Sequence, residues 1–240
     1  MIKNRLNLFS KVSFGALIVT IFGCTGASAL VGSQSDVRIA NFSQVATIDA
    51  NLSDQGNHNY PLSVMLPASS TTCVAPYILI GSTSTLELTA GGSTTNLLTK
   101  SLTLDRGDAI QTILTFGTVS NLKAELVNSL EVPAGLSLFV SDLSVVDTTN
   151  YQVIIKNVTA NTSTQTSPVA GVDGQRTVAY PVLAPSTYEV DLQLGGSTVY
   201  SAQVVIDANH PHNIIAFADN ANATALVAHV INGGQGCVTP

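Results

Sequence analysis

His210-Pro-His212, with Asp207 three residues before it, is the pattern in this chain that comes nearest to chemistry. Two imidazoles and a carboxylate this close together could share a divalent metal, with His229 as a further donor. A zinc site needs three or four protein ligands. An open one would activate water for hydrolysis. The competing reading is a polar hairpin turn built around Pro211. On balance the chain reads as non-enzymatic, without a resident cofactor, and His210, His212 and Asp207 stand as metal candidates only.

Other signatures are shorter. Arg106-Gly-Asp108 spells a cell-adhesion tripeptide, yet Gly and Asp also serve any tight turn. Ser120-Asn-Leu-Lys123 matches a serine-acylating S-x-x-K motif but lacks its partner motifs K-T-G and S-D-N. Asp49, Asn51, Asp54 and Asn57 could offer oxygens to calcium, without EF-hand spacing or a closing Glu. Metalloprotease, nucleophile-elbow, P-loop and dinucleotide signatures are absent from the sequence.

The elements that would hold these residues begin after an export signal. Lys3, Arg5 and Lys11 precede the apolar run Phe14–Phe22, and Ala27-Ser-Ala29 is a small-residue cleavage site. Residues 1–29 therefore read as a signal peptide, too short in its apolar run to span a membrane as a mature helix. A second reading takes Ile21-Phe-Gly-Cys24 as a lipoprotein box that would lipidate Cys24 and tether the protein. Either way the expected location is periplasmic or secreted, with an outer-membrane lipoprotein as the tethered form. Removal of Cys24, or its lipidation, leaves Cys73 and Cys237, which in an oxidising compartment are expected to pair.

Processing also changes the charge. The whole chain carries 9 basic and 15 acidic residues. Loss of Lys3, Arg5 and Lys11 leaves six basic residues and a net charge of −9. That balance argues against nucleic acid and anionic lipid as partners. Charged residues make up only 10% of the chain, so the surface must be largely hydroxyl and amide. A Val-, Thr- and Ser-rich chain with no sustained helical period is expected to be all-β.

A repeat organises it. Val37-Arg-Ile-Ala-Asn41-Phe-Ser43 is matched with Val153-Ile-Ile-Lys-Asn157-Val-Thr159. Gly91-Gly-Ser-Thr94 is matched with Gly195-Gly-Ser-Thr198, Ser101–Leu104 with Gln203–Ile206, and Leu126-Val127 with Leu226-Val227. Phe217 answers Phe116 to within one residue. Tyr188 to Leu194 alternates apolar and polar residues, as a half-buried strand does. Two tandem Ig-like antiparallel β-sandwiches follow, over residues 30–128 and 129–240. Residues 49–59 read as a loop and 71–76 as an exposed segment carrying Cys73. Residues 159–174 are the longest loop candidate, and long exposed loops are where binding is expected.

The repeated phrase, with its alternating strand and Asp-x-Gly turn, resembles the exported bacterial domain-of-unknown-function family numbered four-three-nine-seven. Its pattern is also similar to the periplasmic adaptor of alginate acetylation. The chain departs from that family after the first strand, where Gln44-Val-Ala-Thr47 replaces Pro-Asp-Ala-Pro. The resemblance implies a two-unit cell-envelope protein without known catalysis and carries over no functional residue. The expected partner is an envelope protein or a polysaccharide, bound through loops or sheet edges. The alternatives are a subunit of a surface assembly and a metal-dependent enzyme.

Overall fold

The alternation of buried and exposed residues that marks a strand recurs along the whole described chain. The computed structural model describes residues 33–34, 36–56, 58–74, 77–78, 83–104, 111–128, 136–172, 174–182, 184–209, 212–220 and 225–233. The first ten strands are β1 (Ser33–Gln34), β2 (Val37–Asn41), β3 (Thr47–Ser53), β4 (Asn59–Pro67), β5 (Ser70–Val74), β6 (Tyr77–Ile78), β7 (Thr83–Ala90), β8 (Asn96–Thr103), β9 (Gln111–Thr118) and β10 (Asn121–Asn128). After them come β11 (Leu136–Asp142), β12 (Asn150–Asn157), β13 (Thr162–Gln165), β14 (Val169–Ala170), β15 (Thr177–Val182), β16 (Ser186–Leu194), β17 (Ser197–Ile206), β18 (His212–Asp219) and β19 (Leu226–Ile231). The described residues contain no helix. The protein is all-β.

Four principal sheets stack as layers. The order β4-β3-β7-β8 forms one outer sheet and β10-β9-β2-β5 the inner sheet it packs on. The later strands repeat the plan, with β15-β11-β18-β19 inside and β13-β12-β16-β17 outside. Ile39, Leu52, Leu86 and Ile113 lie in the first intersheet core, and Val140, Val153, Val190 and Phe217 in the second. A third core joins the two inner sheets to each other: Phe42, Leu114 and Phe116 meet Phe139, Leu143 and Ile214. We call this junction the seam. It explains why the inner strands are buried almost without interruption, as in β9 and β18, whereas the outer strands alternate.

Not every pair is antiparallel. β2 runs parallel to β9, and β11 runs parallel to β18. These matching parallel pairs fix the true register of the repeat. β2 corresponds to β11, so the second copy of Val37–Ser43 is Leu138–Ser144, not Val153–Thr159. The hydrogen bonds agree. Phe42 N donates to Thr115 O and Leu143 N to Phe217 O, each at 2.8 Å. The side chains of Asn41 and Asp142 accept from the backbone N–H two residues on, at 3.2 and 3.0 Å. Val153–Asn157 belongs to β12, the counterpart of β3.

Two further matches shift. In the same register Phe217 stands where Thr115 does, so Phe116 faces the seam and Phe217 the second core. A one-residue slip sends a side chain to the opposite face. Leu226 corresponds to Leu122 rather than Leu126, because each pairs across the ladder at the same rung. The match of Ser101–Leu104 with Gln203–Ile206 fits the pairing of β7–β8 and β16–β17.

The repeated Gly-Gly-Ser-Thr phrase turns differently in its two copies. Gly195 and Gly196 have φ of +59° and +82° and close a two-residue hairpin between Leu194 and Ser197. Positive φ at both central positions is what such a hairpin needs. In the first copy only Gly92 is left-handed, at +71°, and the loop is longer.

Three polar stretches contain strands. Residues 49–59 were expected to be a loop, yet Ile48, Ala50 and Leu52 alternate inward along β3. The exposed segment at 71–76 is largely β5, paired with β2. Within 159–174, β13 pairs with β12, and Val169 is fully buried. In each case short polar residues on the outer face mask the period-two pattern.

Candidate functional site

The metal candidates do not converge among the described residues. Asp207 lies just beyond β17, where its carboxylate accepts from Asn209 N at 2.8 Å. His212 opens β18, and its Nδ1 lies 2.8 Å from Ser137 Oγ. His229, on β19, stacks on Phe42 with ring centroids 4.3 Å apart and an interplanar angle of 16°. In the β18–β19 ladder His229 pairs with Ala216, four residues from His212. Burial lowers the pKa of both imidazoles, His212 being further depressed by the charge of Arg38. No group of three or more His, Cys, Asp or Glu able to hold a metal occurs among the described residues. His210 lies outside them, as do Cys24, Cys237, residues 1–29 and Arg106–Asp108.

Two of the calcium candidates, Asp49 and Asp54, serve local turns, and Asn57 lies outside the described residues. Asp49 accepts from Met65 N at 2.6 Å and Gly92 N at 2.9 Å, which ties β4 to the β7–β8 turn. Asp54 accepts from Gly56 N at 2.8 Å and His58 N at 3.0 Å and faces the His58 ring at 3.1 Å. Cys73 sits on β5 opposite Arg38, a basic neighbour that the sequence around Cys73 does not contain.

Two recesses open at one end of the second outer sheet. Asn157, the last residue of β12, organises them. Its Oδ1 accepts from Ala160 N at 2.9 Å and Ser186 Oγ at 2.8 Å. Its Nδ2 donates to Tyr188 Oη at 3.2 Å, and that hydroxyl donates to Ala184 O at 2.9 Å. The turn above it holds Asn161 at φ +51°, a left-handed conformation that Asn tolerates better than most residues.

Two clefts adjoin there and share Asn157 and Thr162. One, of about 370 Å³, is lined by Lys156, Asn161, Ser163 and Glu189 among others. The other, of about 150 Å³, includes Thr164, Tyr180 and Tyr188. Tyr180 is half-buried, and its hydroxyl donates to Thr164 Oγ1 at 3.4 Å. Lys156 pairs with Glu189 at 2.9 Å and with Asp191. The hydrogen bond to Asp191, then that to Glu189, raises the Lys156 pKa. Burial pushes Asp191 up, but hydrogen bonds from Lys156, Ser201 and Thr198 outweigh it and hold the carboxyl below its usual range. Charge is therefore satisfied internally, and what faces the clefts is hydroxyl, amide and phenol.

No family model matches the chain, and no curated protein matches it. Among solved structures it is similar to a family 26 carbohydrate-binding module from Eubacterium rectale, determined in complex with maltoheptaose. Identity is 12%, coverage is 83% of this chain and 97% of that one, and the TM-score is 0.28. At that score the likeness carries no argument about the ligand of this chain.

Sequence reasoning pointed to residues 159–174 as a binding loop, and Asn161, Thr162 and Thr164 lie in that span. It missed Asn157, Tyr180 and Tyr188. The signal available was Tyr180 and Tyr188 in a chain with 6 Tyr and no Trp. A third recess, of about 340 Å³, opens at the seam beside Glu125, Phe139 and Arg176. There Arg176 is already engaged, donating to Ser144 O at 2.9 Å and lying 5.0 Å from the Phe116 ring centroid.

Proposed function

We propose that this is an exported, non-enzymatic cell-envelope protein that binds an uncharged polysaccharide at the paired clefts around Asn157. One observation carries the reading. Two contiguous recesses present hydroxyl and amide groups and the half-buried Tyr180, while the only cation lining them among the described residues is neutralised by Glu189 and Asp191. Convergent polar groups beside an aromatic face suit a polyhydroxylated ligand. Tyr180→Ala removes the aromatic face without touching the Asn157 network. Retention of the purified protein on neutral polysaccharide gels is expected to weaken by at least about tenfold in this variant. Equal retention of both proteins, or none of the wild type on any neutral glycan, would rule the reading out.

A second reading has its own support. β13 ends its sheet, and all four of its side chains are exposed. A partner protein could add a strand there, and a copy of this chain doing so would build a surface assembly. Concentration-dependent polymers would favour that case.

Export, the family resemblance and the Cys73–Cys237 bridge belong to the same proposal. The expected mature chain begins at Leu30, or at lipidated Cys24, and is 2 Da lighter than its reduced form. Intact mass before and after reduction checks both claims. Two alkylatable thiols in the unreduced mature protein would remove the bridge.

A further inference from the structure

The seam is apolar along most of its length and polar at one end. Side chains two residues apart share a face of a strand. On β2 the residue two before Ala40 is Arg38, and on β9 the residue two before Leu114 is Thr112. Ser137 likewise precedes Phe139 on β11, and His212 precedes Ile214 on β18. Arg38 pairs with Thr112 across one inner sheet, and Ser137 pairs with His212 across the other. Four polar side chains thus stand on the seam-facing rows, one step beyond the apolar core.

Arg38 is only 6% exposed, Thr112 3% and Ser137 0%, while His212 is half-buried. The two sheets sense each other here: burial lowers the basicity of His212 and the charge of Arg38 lowers it further. Three other basic side chains nearby are engaged. Lys100 donates to Ala124 O, Lys156 holds two carboxylates, and Arg176 holds Ser144 O and Phe116. The Arg38 side chain makes no hydrogen bond or ion pair among the described residues, and its nitrogens are not among the sealed polar atoms of the interior. A guanidinium does not discharge to escape burial, and a largely buried charge without a counter-charge is unfavourable.

We propose that the polar end of the seam is a binding site for a small oxyanion, a carboxylate or phosphate group, held by the guanidinium of Arg38 with Thr112 and His212 as further donors. The planar fork of arginine matches two oxygens of either group. With its Nδ1 engaged by Ser137 Oγ, His212 keeps Nε2 for the anion. The site is separate from the clefts around Asn157 and stands whether or not those bind glycan. Because the donors come from both inner sheets, an anion there would also tie the two halves of the seam together.

The test uses the processed full chain at pH 7 in chloride, phosphate or acetate at equal ionic strength. Two readouts are taken: the thermal unfolding midpoint, and the pH titration of the His212 ring by NMR. A saturating anion is expected to raise the wild-type midpoint by about 5 °C, with no such response in Arg38→Gln. It is also expected to raise the His212 pKa, because it cancels the charge of Arg38, and to leave His229 unmoved on Phe42. A response to phosphate alone identifies a phosphate ligand, and a response to acetate alone a carboxylate. If the wild-type midpoint and the His212 titration are the same in all three salts, the site does not exist. An equal midpoint shift in Arg38→Gln would also overturn it. Should that variant fail to fold, the His212 titration of the wild type decides alone.

Discussion

Asp142→Asn is expected to stabilise the protein by up to about 3 kcal/mol above pH 6 and to have little effect near pH 4. Asp142 is fully buried, and its Oδ2 has no hydrogen-bond partner. Its pKa is raised to about 6, first by burial and then by the charge of Asp147, against the pull of the Ser144 and Gly171 N–H groups and Arg176. A carboxyl whose folded pKa lies above its unfolded one binds its proton more tightly in the native state. Its contribution to stability is complete below about pH 4 and is lost as pH rises through 6. Because the group is sealed from solvent, screening does not reduce that cost.

The first half of the chain carries the substitution already. Asn41 occupies the equivalent position and uses its Nδ2, donating to Val45 O at 3.2 Å and Leu66 O at 3.1 Å. An amide at 142 keeps the acceptor that Ser144 N uses and replaces the buried anion with a neutral donor. Denaturant unfolding of both proteins from pH 4 to 8 provides the check. His212 and His229, whose pKa values are depressed, act in the opposite sense, losing stability as pH falls. They are common to both proteins, so the difference between the curves isolates Asp142. Parallel curves would mean that Asp142 is not the titrating group.

Phe116→Ala is the second large effect, at about 3–5 kcal/mol. The ring is 1% exposed, belongs to the seam core and lies under the Arg176 guanidinium. Its removal opens a cavity between two inner sheets, each of which keeps its own intersheet core. The wild type is therefore expected to unfold in one transition, and the variant in two, the sandwich of β11–β19 outlasting the other. Calorimetry of the two proteins tests this. A loss below about 1 kcal/mol, with one transition retained, would show that the seam contributes little to holding the halves together.

The two outcomes bear on how the chain is organised. Duplication accounts for the shared topology of the two halves, but the halves differ where they meet solvent and each other. Asn41 is matched by Asp142 at one buried position. Gly91-Gly92 and Gly195-Gly196 close loops of different length with the same letters. Side-chain identity at these points follows from local contacts, which a comparison of phrases does not contain.

The sequence alone determined the all-β class, the repeated pattern of strands and the glycine turns at Gly91-Gly92 and Gly195-Gly196. Those properties rest on local physics: β-branched residues, period-two burial and turns that only glycine makes readily. The register of the repeat was not legible. Val37–Ser43 resembles Val153–Thr159 in letters because both are half-apolar strands, and only the parallel pairs β2–β9 and β11–β18 reveal Leu138–Ser144 as its counterpart. The seam was equally hidden. A strand buried on both faces reads as an apolar run whether it lies within one sandwich or between two, so Phe42, Phe116 and Phe139 gave no sign that they meet. Tertiary structure also decided which polar residues are buried. Arg38 and Asp142 look like surface charges in the sequence, yet Arg38 is buried on the seam-facing row of β2 and Asp142 on the opposite face of β11, beside Ser144 and Gly171.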